Sequence, residues 1–325
     1  MPDSPLISVR GLARRFKTRE GSVDAVRGID FDVRADEIVG LLGPNGAGKT
    51  TTLRMLTTLL EPSSGSATVA GHDLATQPRE VRRRIGYVAQ VGAAPSAGTI
   101  VGEELVTQAR LQGLSKTDAA ARLRELAPSL TLEGLTGRAL MELSGGQRRR
   151  FDIALGLMHN PSVVFLDEPT TGLDPQSRAN LWDLVRSLRE RTGVTILLTT
   201  HYLEEADALA DRILVMDHGA LVADDTSAAL KARISGDVIH LTFDEGLEEA
   251  ERIAREALTP RDLVTADGAL NITVDEGAVA VAPLLRALDA GGLSPTSVNV
   301  SRPSLDDVFL TLTGRSLREE ETAAA

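Results

Sequence analysis

The stretch Glu37-Ile38-Val39-Gly40-Leu41-Leu42-Gly43-Pro44-Asn45-Gly46-Ala47-Gly48-Lys49-Thr50-Thr51 runs from an apolar segment through a glycine-rich loop to a lysine and two threonines. Glu37–Leu42 is strand-sized, and the residues after Lys49 read as an amphipathic helix ending before Pro62. In that strand-loop-helix context, Gly-x4-Gly-Lys-Thr can turn backbone N–H groups towards the β- and γ-phosphates of a nucleotide. Lys49 would neutralise phosphate charge, Thr50 can ligate Mg²⁺, and the helix N-terminus adds its dipole. Gly43, Pro44, Asn45, Gly46, Ala47, Gly48, Lys49, Thr50 and Thr51 are therefore the expected phosphate-binding residues. A glycine-rich turn with a chance lysine is the weaker reading.

Outward from this loop, short apolar runs alternate with helical patterns. Ile85–Ala89, Val163–Leu166, Val194–Thr199 and Arg212–Met216 read as further strands, with helices after Gln147, Pro175 and Tyr202. Such alternation predicts an α/β fold: a mostly parallel sheet flanked by helices, its ligand at the carboxyl ends of the strands. Residues 91–143 lack strand patterns and read as a helical insert. From 229 to 315 the pattern predicts a small α/β domain of order β-α-β-α-β, closed by a helix. That helix carries Leu305, Val308, Phe309 and Leu312 on one face behind a Ser304 cap. The expected division is 1–228, 229–315 and a frayed tail at 316–325.

Two further motifs carry chemistry. In Val163-Val164-Phe165-Leu166-Asp167-Glu168 an apolar strand delivers two carboxylates to the sheet edge. Asp167 can hold the Mg²⁺ shell there, and Glu168 can polarise an attacking water. In Leu143-Ser144-Gly145-Gly146-Gln147 a serine and two glycines precede a helical run, a second N-terminus able to receive an anion. Alone, it would read as a helix cap. Two γ-phosphate sites in one chain make sense if two chains share them.

Taken in order, these motifs resemble those of the ATP-binding-cassette (ABC) ATPases, P-loop NTPase cassettes with a helical insert, and the resemblance covers about residues 6–228. It implies that Gln90 is the glutamine that reaches Mg²⁺, together with Thr50 and Asp167. His201 would contact the γ-phosphate, and Asp174, in Thr171-Gly172-Leu173-Asp174, would lie on the loop that crosses between protomers. Phe16 is the candidate for stacking on adenine, its alternative being a strand-core residue. Ser301–Leu310 and the extended signature Leu143–Leu155 resemble ATPases of the daunorubicin-resistance type. That branch implies an exporter of hydrophobic drugs or related substrates, with ATP and Mg²⁺ bound between two copies of the chain. It also implies a separate membrane-spanning permease subunit that holds the chain at the cytoplasmic face of the membrane.

Composition narrows the field. The chain has 325 residues, 42% of them apolar and 25% charged, enough for one large and one small folded domain. Its formal charge of −11 disfavours nucleic acid as a partner. The absence of cysteine excludes disulfides and thiolate metal sites. No apolar run approaches the roughly 20 residues of a spanning helix, and no signal peptide is readable. Two alternatives stay open at this level: a non-transport cassette ATPase of the DNA-repair or translation type, and a nucleotide-gated regulatory module. A GTPase is disfavoured, because no Asn-Lys-x-Asp guanine motif occurs.

Overall fold

The computed structural model describes residues 4–18, 21–90, 98–233, 236–266, 268–301 and 304–314. The tail at 316–325 and nearly all of the loop after Gln90 lie outside them. The chain divides into two compact units, Met1–Asp224 and Asp225–Ala325.

The first unit begins with a long antiparallel pair, β1 (Ile7–Thr18) and β2 (Gly21–Val33), followed by β3 (Ile38–Leu42) and α1 (Lys49–Leu56). Next come β4 (Ser64–Val69), β5 (His72–Asp73), α2 (Pro78–Arg84) and β6 (Ile85–Val88). The insert contributes α3 (Val101–Leu111) and α4 (Lys116–Ser129). The unit continues with α5 (Gly145–Leu157), β7 (Val163–Asp167), α6 (Pro175–Thr192), β8 (Thr195–Thr200), α7 (Leu203–Leu209), β9 (Arg212–Asp217) and β10 (Ala220–Asp225).

A six-stranded sheet of order β10-β9-β3-β8-β7-β6 forms its centre, and β9, β3, β8, β7 and β6 pair in parallel. Every residue of β3, β7 and β8 is buried, the state expected of parallel strands covered on both faces. Alternation along β7 sends Val164 and Leu166 into a core built with the helices, with Phe151 of α5 and Leu184 of α6. Val163 and Phe165 enter a second core, against α1 and a four-stranded sheet of order β2-β1-β4-β5.

That antiparallel sheet is missing from the sequence reading. Its strands bury one face and expose charges on the other, where Arg10 pairs with Asp32 and Arg15 with Asp24. Register shifts between Val9 and Leu12 and between Arg14 and Arg15 break the two-residue period that would have revealed them.

The second unit contains α8 (Ser227–Arg233), β11 (Asp237–Thr242), α9 (Leu247–Leu258), β12 (Asp262–Ala266), β13 (Ala269–Val274), α10 (Gly277–Ala290), β14 (Ser297–Ser301) and α11 (Leu305–Thr313). The expected β-α-β-α-β order is corrected to β-α-β-β-α-β, because β12 is a strand of its own. Only Leu263 in it is buried, too little apolar pattern to read from sequence. The four strands pair antiparallel in the order β12-β13-β11-β14, a split β-α-β arrangement. Ile239, Leu241 and Ile272 pack with Ile253 of α9 and Leu288 of α10. On α11, Leu305, Val308 and Phe309 are buried, whereas Leu312 is 37% exposed and falls outside the predicted stripe.

Candidate functional site

Register decides what meets at the edge of the central sheet. Leu42 of β3 pairs with Thr200 of β8, and Asp167 of β7 pairs with Thr199. Gly43, Glu168 and His201 therefore leave the sheet side by side.

The loop after β3 is shaped by close backbone approach. A Cβ at Gly43 would lie 2.1 Å from the Met216 carbonyl oxygen. At Gly48, with φ +103°, a Cβ would come within 2.3 Å of the Ala25 carbonyl oxygen. Glycine is demanded at both positions by this chain's own packing. The loop opens into α1, whose first turn holds no acidic residue, so the N–H groups keep their positive end uncompensated. Lys49 is buried, and its Nζ donates to the carbonyls of Gly43 (2.7 Å) and Pro44 (2.8 Å) and lies 3.9 Å from Glu168 Oε1. A cavity of about 220 Å³ lies here, lined by Asn45, Gly46, Gly48 through Thr51, Gln90, Glu168 and Ala25.

Both carboxylates of the β7 motif are tightly held. Asp167 Oδ1 accepts from Thr50 Oγ1 at 2.9 Å and from Thr199 Oγ1 at 2.7 Å, while Oδ2 accepts from the Tyr87 hydroxyl at 3.3 Å. Burial and the Asp167 charge push the Tyr87 phenol up, which keeps it a donor. Glu168 accepts from Gln90 Nε2 at 2.7 Å and from Thr171 Oγ1 at 3.1 Å, and its Oε1 lies 3.4 Å from His201 Nδ1. Burial disfavours the charged form of Glu168. His201, then Lys49 and Thr171, outweigh it and hold the carboxyl below its ordinary value. Glu168 sits at φ +43°, a left-handed backbone costing a non-glycine residue about 1–3 kcal/mol. The Thr50 hydroxyl, the Asp167 carboxylate and the Gln90 amide form a hard-oxygen set that fits Mg²⁺.

Ser144 and Gln147 form a capping box at the start of α5. Gln147 N–H donates to Ser144 Oγ (3.3 Å), and Ser144 N–H donates to Gln147 Oε1 (3.0 Å). The backbone donors of this turn left to meet an anion are those of Gly145 and Gly146, beside the Ser144 hydroxyl and the Gln147 amide. Beyond its own turn of helix, a Cβ at Gly145 would come no closer than 3.9 Å to another atom, and one at Gly146 no closer than 3.4 Å. Packing within the chain therefore does not require these glycines, in contrast to Gly43 and Gly48. None of Ser144–Gln147 lines the cavity at the phosphate loop. Asp174 caps α6 by accepting from the Ser177 N–H at 3.0 Å. Phe16 lies half-buried on β1, outside the lining of that cavity, with the Arg14 guanidinium 4.7 Å from its ring centre.

Arg149 escaped the sequence reading. It is buried, and donates to the carbonyls of Pro169 (2.7 Å), Ala89 (2.6 Å), Asp167 (3.1 Å) and Glu168 (3.3 Å). It thus ties α5 to the segments that carry Gln90 and Glu168. The run Arg148-Arg149-Arg150 looks like a solvated face, but Arg149 falls in register with buried Ile153 and Leu157 at i+4 and i+8. That spacing was the available signal.

Residues 26–171 match the ABC transporter family model. The chain is 44% identical over 307 residues to the daunorubicin/doxorubicin resistance ATP-binding protein DrrA of Streptomyces peucetius, covering 93% of this chain and 91% of that protein. It is 37% identical over 314 residues to the linearmycin resistance ATP-binding protein LnrL of Bacillus subtilis, covering 94% and 99%. Among solved structures, cbiO1 from Clostridium perfringens, part of an ABC transporter complex, superposes with a TM-score of 0.62 at 26% identity. That match covers 71% of this chain and 92% of the other.

Proposed function

The chain belongs to the ABC transporter family as an ATP-hydrolysing subunit, and from that premise we propose that two copies share two ATP sites to drive export of a hydrophobic drug-like substrate. The export path lies in a separate membrane-spanning subunit; among the described residues no helix of this chain is long and apolar enough to cross a membrane. That partner holds the chain at the cytoplasmic face. The drug class rests on the relatives named for daunorubicin, doxorubicin and linearmycin resistance.

The carrying observation is the buried Glu168 carboxyl, set between Lys49, Gln90 and His201 at the cavity edge. Lys49 and the N–H groups of residues 45–50 bind the phosphates. Phe16 stacks on the base. Glu168 accepts the proton of the attacking water, and His201 steadies the γ-phosphate while Gln90 reports to the membrane partner. Thr50, Asp167 and Gln90 would hold Mg²⁺, which supplies charge neutralisation on the β- and γ-phosphate oxygens. Gly145 and Gly146 of the second copy donate to the γ-phosphate, and Asp174 lies on the segment crossing between copies. Their lack of internal steric demand supports this role: small residues there make room for something arriving from outside the chain.

Glu168→Gln keeps the shape and removes the base. ATP turnover should fall by about 10²–10⁴-fold, and an ATP-bound dimer should accumulate, read by light scattering. A Glu168→Gln chain that stays monomeric at saturating ATP, alone and with its membrane partner, would sink the shared-site mechanism.

A further inference from the structure

Behind the site lies a carboxyl that the mechanism above does not use. Glu205, in the first turn of α7, is fully buried. The Trp182 indole N–H of α6 donates to its Oε1 at 3.2 Å. The Thr200 and Thr170 hydroxyls and His201 also act on it. Thr200 immediately precedes His201, and Thr170 lies two residues beyond Glu168, on the segment leading to Asp174. A second link runs parallel to the first. The Arg178 guanidinium of α6 lies 4.3 Å from the Tyr202 ring centre, and that ring sits 4.1 Å from His201.

We propose that Glu205 is a positioning residue for hydrolysis, a buried hub whose bond to Trp182 ties the start of α7, and with it His201 at the end of β8, to α6. The inference rests on the ATPase reading and adds a residue to it. Two buried atoms point to the form in which the hub works. Among the described residues neither Glu205 Oε2 nor Thr170 Oγ1 completes a hydrogen bond. Left without a bond, a protonated Oε2 costs less than a buried charged oxygen. Burial pushes the Glu205 carboxyl up, against the opposing pull of the Thr200 and Thr170 hydroxyls and the Trp182 indole N–H, which favours the protonated form. A neutral carboxyl donates once and accepts once, and a glutamine amide can do the same.

That equivalence provides the test, made on the full chain in its active assembly. Glu205→Gln should keep kcat within about threefold, whereas Glu205→Leu should lower it at least about tenfold. KM for ATP should stay within about twofold in both, because residues 43–50 are untouched. Trp182 is the sole tryptophan of the chain, so intrinsic fluorescence reads its hydrogen bond directly. Emission should shift in Glu205→Leu and stay put in Glu205→Gln. Trp182→Phe removes the donor and leaves the carboxyl, and should lower kcat with KM unchanged even where Glu205→Leu fails to fold. The idea is overturned if Glu205→Gln is as impaired as Glu205→Leu, if KM moves in place of kcat, or if no variant changes turnover. Failure of the ATPase reading itself looks different: Glu168→Gln would then leave turnover unaltered, while the Trp182 emission pattern would still decide whether Glu205 is the hub.

Discussion

Two helices of this protein open with the same capping box and face opposite fates. Ser144 and Gln147 start α5, while Ser304 and Asp307 start α11, each pair exchanging backbone and side-chain hydrogen bonds. The residues between them differ. In α11 they are Leu305 and Asp306, and the first turn carries two carboxylates, Asp306 and Asp307. Leu305 and Asp307 are buried, and Asp307 Oδ1 lies 3.6 Å from His240 Nε2 of β11. The helix dipole is compensated and the end is packed. In α5 they are Gly145 and Gly146, no acidic residue occupies the first turn, and Ser144 and Gly145 are exposed. One box closes a helix onto its own unit. The other leaves a positive end without side chains in front of it, as an arriving phosphate requires.

Making the first end resemble the second gives the largest expected effect. Gly146→Asp puts a carboxylate into the first turn of α5, where the nearest neighbour of the new Cβ is Ser177 Oγ at 3.4 Å, so the fold should tolerate it. Turnover should nevertheless fall by about 100-fold, the scale on which loss of one preorganised donor to a developing anion acts. The ATP-dependent dimer should vanish, while ATP binding to the single chain stays within a few-fold, as titration calorimetry can measure. Retained turnover with a lost melting temperature would make α5 a structural helix end and no more. Next in size is Ser144→Ala. It removes a cap worth about 1 kcal/mol and frees the turn that presents Gly145 and Gly146. Turnover should drop by about tenfold with a small fall in melting temperature.

How much of this was legible follows from how each element meets water. The buried parallel strands announce themselves as continuous apolar runs, so β3, β7 and β8 were read to within a residue or two, and the loop and carboxylates that follow them came with the strands. Strands β1 and β2 expose one face and are interrupted by bulges, so their charges masked their pattern. Arg149 and Glu205 were invisible for a related reason. A charged residue is read as solvated unless its neighbours at helical spacing are weighed first, and each of these two is buried because several distant segments supply its partners. The distinction between Gly43 and Gly146 was likewise beyond the sequence. Both read as loop glycines, and only the atoms around a would-be Cβ separate internal need from room left for a visitor.

The smallest expected effect is the control that gives the comparison its meaning. Ser304→Ala removes the α11 box: Asp307 N–H loses its acceptor at Ser304 Oγ, and the Ser304 hydroxyl no longer donates to Asp307 Oδ2. A cap of this kind is worth about 1 kcal/mol, which should appear as a modest loss of stability in denaturant unfolding. Turnover should be unchanged, because α11 belongs to the unit beginning at Asp225 and the hydrolytic residues belong to the other unit. Equal stability losses in Ser144→Ala and Ser304→Ala, with turnover lost only in the first, would separate the two roles of one motif. If Ser304→Ala lowered turnover as strongly as Ser144→Ala, the second unit would be acting on hydrolysis, and α11 could no longer be counted as a purely structural cap.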